Sequence, residues 1–363
     1  MIRKAKPKAP REEPCVPRHR IGRCAGNRNV GRFLFFALAC ALSGCAAQTV
    51  NEHASSGAAP ARLPGKGTRQ HPFLYAGEWD TRKPNEQSIF LVRQGKVVWQ
   101  YSVPIKSPQG GIQEFDDATL LPSGNVIFSR MSGAGMVSAD KRLVWDYVAP
   151  PGTEVHSIQW LGKGRVLIMR NGTPALAMII DTATGVVEKE IRIPTAIENP
   201  HRQFRHIRMT SAGTLMVPHL GEDKVVEYDL EGRELWKVAA QSPWQAVRLL
   251  NGNTLIAGDD HRYAREVNPN GSVVWEFTAS DAPGYHLGNI QTASRLANGN
   301  TVLCMWIAGE KDTARWPGTV QVLEVTHAKS IVWALSSWDD PDLGPATSIQ
   351  LLDDPRPVEH QER

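Results

Sequence analysis

Five stretches of the chain share one shape: ATLLPSGNVIFS (residues 118–129), IQWLGKGRVLIM (158–169), IRMTSAGTLMV (207–217), AVRLLNGNTLIA (246–257) and ASRLANGNTVLCM (293–305). Each is an apolar run, a glycine-bearing turn and a second apolar run, which reads as a β-hairpin. The turn glycines Gly124, Gly164, Gly213, Gly252 and Gly299 recur at intervals of 40, 49, 39 and 47 residues. Asn-Gly, at 251–252 and 298–299, is a strong hairpin signal because both central positions tolerate positive φ.

A second signature interleaves with the first. An apolar strand ends in Trp at Trp99, Trp145, Trp236, Trp275 and Trp333, whereas the corresponding stretch Thr184–Glu188 has none. A middle strand lies between the two signatures, as in KVVEYD (224–229) and VQVLEV (320–325). Four short strands in each repeat of this length make a propeller blade. Five units begin near Asp116, His156, Arg205, Trp244 and Gln291. Residues 72–101 supply three strands and lack the first; residues 347–353 supply one strand with nothing after it. The expected fold is all-β: a six-bladed β-propeller closed by pairing N- and C-terminal strands in one composite blade, which leaves no open seam.

The closing Trp residues, with Thr184-Gly185, resemble the quinoprotein-like (PQQ-like) β-propeller repeat over roughly residues 70–355. The resemblance implies a propeller whose Trp side chains pack between blades. Quinone-dependent dehydrogenases of this type usually have eight blades and a vicinal disulfide. Six units and no adjacent cysteine pair depart from that pattern, so PQQ is not an expected cofactor and the cofactor is left unknown. Fold alone does not assign activity.

The N-terminus reads as an export signal. Arg32 precedes the apolar run Phe33–Leu42, too short to span a bilayer, and Leu42-Ser43-Gly44-Cys45 follows. That motif resembles the lipobox of bacterial lipoproteins, which implies lipidation at Cys45 and a protein tethered to the cell envelope. Ala46, where Asp would favour the inner membrane, leans toward the outer membrane. The expected organisation is a signal region at 1–44, a flexible tether at 45–69, the propeller at 70–355 and a polar tail at 356–363. Residues 1–44 hold ten of the 41 basic residues and two of the 37 acidic ones; beyond them acids outnumber bases 35 to 31. No basic patch for nucleic acid is expected. Cys304, in an apolar run, reads as a buried small hydrophobe.

Short generic turns fall on one face of such a ring and longer, chemically richer loops on the other. Function concentrates on loops displayed by a rigid frame. The inner strands also open on that face. Counting eight back from each turn glycine places Asp116, His156, Arg205, Trp244 and Gln291 there, with Thr347 from the composite blade; Asp117, Ser157, His206, Gln245, Thr292 and Ser348 come next. A ligand-binding channel mouth built from Asp116, His156, Arg205, His206, Trp244 and Gln291 is therefore expected, suited to a small anionic or sugar-like ligand. Asp116 and Asp117 form a candidate acid/base pair. His156, His206 and His219 come from different blades, but no metal-ligand spacing joins them and no metal centre is expected. The favoured reading is a membrane-tethered binding or scaffold protein whose partner is an envelope protein or a small ligand. The alternative is an enzyme. An arylsulfotransferase-like one would use His156 or His206 with Arg205; a carbohydrate-active one would stack sugar on Trp244, Trp306 and Trp316.

Overall fold

Each hairpin of the repeat is continued by two further strands, giving six antiparallel sheets of four strands each. The structure, a computed structural model, describes residues 62–258 and 260–363; the signal region, Cys45 and most of the tether lie outside the described residues. Blade 2 runs outward from the channel through Phe115–Leu120, Val126–Arg130, Gly133–Val137 and Leu143–Val148. Blades 3 to 6 repeat this order, with innermost strands Glu154–Gly162, Arg208–Met209, Pro243–Arg248 and Asn289–Arg295. Blade 1 is composite, as expected. Ala346–Leu351 lies innermost beside Phe73–Gly77, followed by Glu86–Arg93 and Lys96–Pro104. Phe73 stands opposite Leu351 and Ala76 opposite Ser348.

The Asn-Gly turns differ from expectation in one respect. Only Gly252 has positive φ (86°), while Asn251 does not. Leu249 N–H donates to Asn253 O, Gly252 N–H donates to Leu249 O, and the Asn251 side chain accepts from Asn253 N–H at 2.9 Å. This is a longer hairpin loop with one left-handed glycine, in which the Asn side chain supplies a local hydrogen bond that its own backbone then need not make.

The apolar core sits between blades. Phe73, Tyr75 and Ile349 of blade 1 pack with Cys304, Trp333 and Leu335 of blade 6. Cys304 is fully buried, and burial pushes its thiol up to about 12, as suits an inert core residue.

The closing Trp makes a repeated bond across the same boundary. Trp99, Trp236 and Trp275 donate their indole N–H to Ala139 O, Pro269 O and His327 O, each on the outer turn of the next blade. A cation and a carboxylate complete the joint. Arg248 lies 4.7 Å over the Trp236 ring and pairs with Glu227, and Arg295 lies 5.6 Å over Trp275 and pairs with Glu266. Blade 3 carries Lys189 at the Trp position: Lys189 is opposite Ile179 as Trp99 is opposite Leu91. Its ammonium meets Glu231 on the outer turn of blade 4 at 3.1 Å, so an ion pair replaces the indole bond.

The last joint recruits the segment before blade 1. Trp333 donates to Gly67 O, Thr68 donates to Gly95 O, and Ala334 N–H donates to Pro64 O. The described end of the expected tether is thus fastened to the ring, with a 3-10 turn at Gly67–Arg69. At the other end, residues 356–363 are polar, as expected, and lie across the short-turn face. They reach an inner strand, or the turn leaving it, in every blade: Gln361 with Gln350, Arg363 with Thr119, Glu359 with Trp160, Arg208 with Arg363 O, and Glu362 with both Leu250 N–H and the Arg295 backbone.

In the last joint His71 takes the place of the arginine. It stands edge-on to Trp333 at 5.0 Å, with Nε2 3.0 Å from Glu324 and Nδ1 2.8 Å from Asp353. Burial opposes its protonation, but the hydrogen bonds to Glu324 and Asp353 outweigh burial and raise its pKa above 6.5. A charge preferred in the folded state stabilises fully below the unfolded pKa and is lost as pH rises through the folded one. The melting-temperature gap between the native protein and His71→Gln should therefore be widest near pH 5 and narrow steadily toward pH 9. A gap independent of pH would show that the imidazolium contributes nothing to closure.

Candidate functional site at the channel mouth

The inner strand of blade 4 is cut to two residues, Arg208–Met209, and a loop takes over its mouth end. Isolated bridges, Phe204 with His219 and His206 with Gln245, replace the missing ladder. Two amides hold the loop. Asn171 Nδ2 donates to Pro200 O and Phe204 O, and Gln203 brackets Gly172 through both its side-chain oxygen and nitrogen. A 3-10 turn at Pro200–Arg202, capped by Asn199, then projects His201 toward the mouth. Glu114 immediately precedes the inner strand of blade 2, Glu154 opens that of blade 3, and Glu78 follows the second strand of blade 1.

These residues surround a cavity of about 270 Å³ lined by Glu78, Trp79, Glu114, His201, Arg202, Arg205, Leu220, Ser242, Trp244, Asp260, Gln291 and Trp306. Trp306 is shared with a neighbouring cavity of about 320 Å³ that reaches His286, Asn289 and Glu310. Arg205, Trp244 and Gln291, expected at the mouth, line it. Asp116 and His156, also expected there, sit directly behind Glu114: His156 Nδ1 lies 3.0 Å from Asp116 and 3.7 Å from Glu114, while its Nε2 lies 2.8 Å from Glu154. His206 does not line the cavity. It is fully buried, and burial lowers its pKa to about 4, leaving it neutral.

Three further expectations are corrected. Asp117 does not act with Asp116; it pairs with Arg208 at 2.9 Å, because adjacent strand residues face opposite ways. His219 is held by Glu222 and Tyr228 and does not join His156. Trp316 is fully buried against Trp338 and beneath Arg82, so it braces the rim and offers no stacking face. Conversely Glu78, Glu114, Glu154 and His201 are functional candidates that repeat counting does not single out. They belong to loops and strand ends outside the repeat register. The abundance of ionisable residues in the long loops is the only sequence signal for them.

The electrostatics are dominated by carboxylates. Oxygens of Glu78, Glu114 and Asp116 lie within 4.8 Å of one another. Burial, then the charges of Glu114 and Asp116, raise Glu78 well above the ordinary carboxylate range. Burial and Asp116 push Glu114 up to about 7 against the pull of His156, His201 and Arg205. For His156, burial and Arg205 oppose protonation, but Asp116 and Glu154 overcome them and raise it to about 9. Arg205, itself 1% exposed, rests 4.5 Å over the Trp244 ring and donates to Phe204 O. Several buried polar atoms of the mouth residues have no partner among the described residues: Arg205 Nε, Gln291 Oε1, Asp116 Oδ1 and the indole nitrogens of Trp79, Trp244 and Trp306.

A folded-state pKa of about 7 against an ordinary 4.5 means that Glu114 costs stability progressively as pH rises from about 4.5 to 7, the cost being complete above that. In protein stripped with a chelator and held at pH 8, Glu114→Gln should raise the melting temperature, with a gain of about 1–3 kcal/mol. An unchanged or lower value would show that the carboxylates do not strain one another.

Comparison with protein-family models finds no match, and comparison with curated proteins finds none either. Solved structures do match. A protein of unknown function from Bacteroides caccae is similar over 77% of this chain and 97% of its own, at 25% identity and a TM-score of 0.67. A catalytically inactive virginiamycin B lyase from Staphylococcus aureus, crystallised with quinupristin, is similar over 76% of this chain and 87% of its own, at 12% identity and a TM-score of 0.49. A WD40 β-propeller domain follows at 15% identity, 63% and 70% coverage and a TM-score of 0.45. What the chain shares with these structures is the β-propeller fold.

Proposed function

We propose that this propeller is a binding protein that takes a hydroxyl-rich, sugar-like ligand at the channel mouth. The observation that carries the reading is the cavity lining, in which Trp79, Trp244 and Trp306 alternate with Arg205, Gln291, Ser242 and Asp260, and in which the three indole N–H groups, the Arg205 Nε and the Gln291 Oε1 have no partner among the described residues. Each such group left without a partner costs about 1–3 kcal/mol, so a native fold that gathers several in one place is arranged for something that satisfies them. Indole rings interspersed with donors and acceptors suit the alternating apolar faces and hydroxyls of a sugar. A bare anion fits less well, because Glu78 and Glu114 line the same cavity as Arg205, with Asp116 close behind them. The two cavities meeting at Trp306 leave room for more than one ring.

A catalytic version of the same reading rests on Glu114. A carboxyl with a pKa near neutrality beside a second carboxylate has the make-up of an acid/base pair on a glycosidic substrate. The arylsulfotransferase-like alternative has less support. It needs an accessible imidazole near Arg205, whereas His156 is held between Asp116 and Glu154, and His206, although its ring nitrogens have no partner among the described residues, is fully buried and does not line the cavity.

The envelope setting belongs to the proposal too: a lipoprotein of the PQQ-like repeat type, lipidated at Cys45 and held at the outer membrane, with the ring presented on a tether. Its support is the apolar run Phe33–Leu42 followed by Leu42-Ser43-Gly44-Cys45. Metabolic labelling with a fatty-acid analogue should tag the native protein and leave Cys45→Ser unlabelled; label on the variant would refute lipidation at this residue.

For the mouth, a thermal-shift and calorimetric screen of neutral and acidic oligosaccharides should find at least one that binds. Arg205→Ala and Trp244→Ala should each weaken that binding tenfold or more, while Arg142→Ala, in an exposed turn on the other face, should leave it unchanged. Equal affinity in all three variants would move the site elsewhere.

A further inference from the structure

The imidazoles and carboxylates at the back of the mouth have a geometry that sugar binding does not use. We propose that Glu114, His156 and His201 bind a divalent first-row transition-metal cation of the zinc and manganese class. The proposal goes beyond the ligand reading, since it concerns the wall of the cavity; it is compatible with ligand binding in front and excludes Glu114 as a free acid/base.

Donor spacing is the first observation. One ligand atom from each of the three residues lies within 4.8 Å of the other two. Donors on opposite sides of a cation with bonds of about 2.0–2.3 Å are separated by about 4–4.6 Å, and neighbouring donors by less, so a small closing movement completes the set. Two imidazoles and one carboxylate are a recurrent donor combination for divalent transition metals, and they leave coordination positions open.

Orientation is the second. A single oxygen, Glu154 Oε2, meets His156 Nε2 at 2.8 Å and His201 Nδ1 at 3.1 Å. Metal-ligating histidines usually give their outer ring N–H to a carboxylate, which fixes the ring and directs the other nitrogen at the cation. Here one carboxylate does this for both rings. It leaves His156 Nδ1, 3.7 Å from Glu114, to exchange its 3.0 Å hydrogen bond with Asp116 for the cation, and His201 Nε2 without a hydrogen-bond partner among the described residues.

Unmet need is the third. Glu114 is 2% exposed, yet no hydrogen-bond donor among the described residues contacts its carboxylate. Asp116 is fully buried with Oδ1 unpartnered. Together with Glu78, these carboxyl groups crowd one side of the cavity within 4.8 Å of one another, an arrangement that a dication would relieve by accepting their oxygens as ligands or neighbours. The three proposed ligands come from the starts of blades 2 and 3 and from the loop before blade 4. Their spacing in sequence therefore has none of the regularity of a metal motif.

The test uses the whole chain, stripped with a chelator and titrated calorimetrically with Zn²⁺, Mn²⁺ and Ca²⁺. One equivalent of Zn²⁺ or Mn²⁺ should bind. His201→Ala and Glu114→Gln should weaken that binding at least tenfold, Glu154→Gln should weaken it about 10–100-fold through loss of ring orientation, and His360→Ala, an exposed histidine on the opposite face, should match the native protein. His201 is 43% exposed at its side chain, so its alanine variant should fold normally, as circular dichroism would verify. Co²⁺ offers an independent readout: visible ligand-field bands should appear in the native protein and be lost in His201→Ala. The proposal fails if no stoichiometric transition-metal binding is seen. It also fails if His201→Ala binds as the native protein does, or if Ca²⁺ is preferred and only Glu78, Glu114 and Asp116 matter.

Discussion

The ring depends on a joint between neighbouring blades that is made at the rim, far from the channel. An indole N–H on the outermost strand of one blade donates to a carbonyl on the outer turn of the next, and a cation over the ring pairs with a glutamate on the strand beside it. A propeller has no single central core, so each apolar cluster belongs to a pair of blades and says little about the angle between them. The directional bond supplies that angle. The same joint tolerates substitution of its parts: Lys189 with Glu231 where the indole is missing, and His71 where an arginine would stand. At five of the six boundaries a donor on the outer strand reaches across, from Trp99, Lys189, Trp236, Trp275 and Trp333, whereas Trp145 of blade 2 contributes packing without such a bond among the described residues.

This explains which features could be seen in the sequence. Turn glycines and closing Trp residues report directly on the joint and the hairpins, so the blade count and the composite closure at Phe73–Gly77 with Ala346–Leu351 followed from them. The equivalence of inner-strand starts placed Arg205, Trp244 and Gln291 on the cavity wall, with Asp116 and His156 behind it. That argument fails where the strand itself fails. The loop that replaces the start of the blade 4 inner strand brings in His201, whereas His206, like Asp117, Ser157, Gln245, Thr292 and Ser348 at the equivalent positions, is buried off the cavity.

The remaining residues lie outside any repeat register. Glu78, Glu114 and Glu154 sit at strand ends whose lengths differ from blade to blade, and no period relates them. Their convergence is a property of the closed ring: six differently trimmed strand ends meet at one opening. The acids gathered there are costly to bury, and that cost appears as the upward shift of Glu78 and Glu114 from the ordinary carboxylate range. A chain selected only for a stable ring would have no reason to accumulate them.

The segment at 356–363 crosses the opposite end of the channel and is anchored to all six blades. The passage is therefore blind-ended. Whatever enters past Trp79, Trp244 and Trp306 must leave by the same door, and water displaced on entry has to escape around the incoming molecule. Residence time is then set by the mouth loops alone, and the protein works as a cup rather than a conduit.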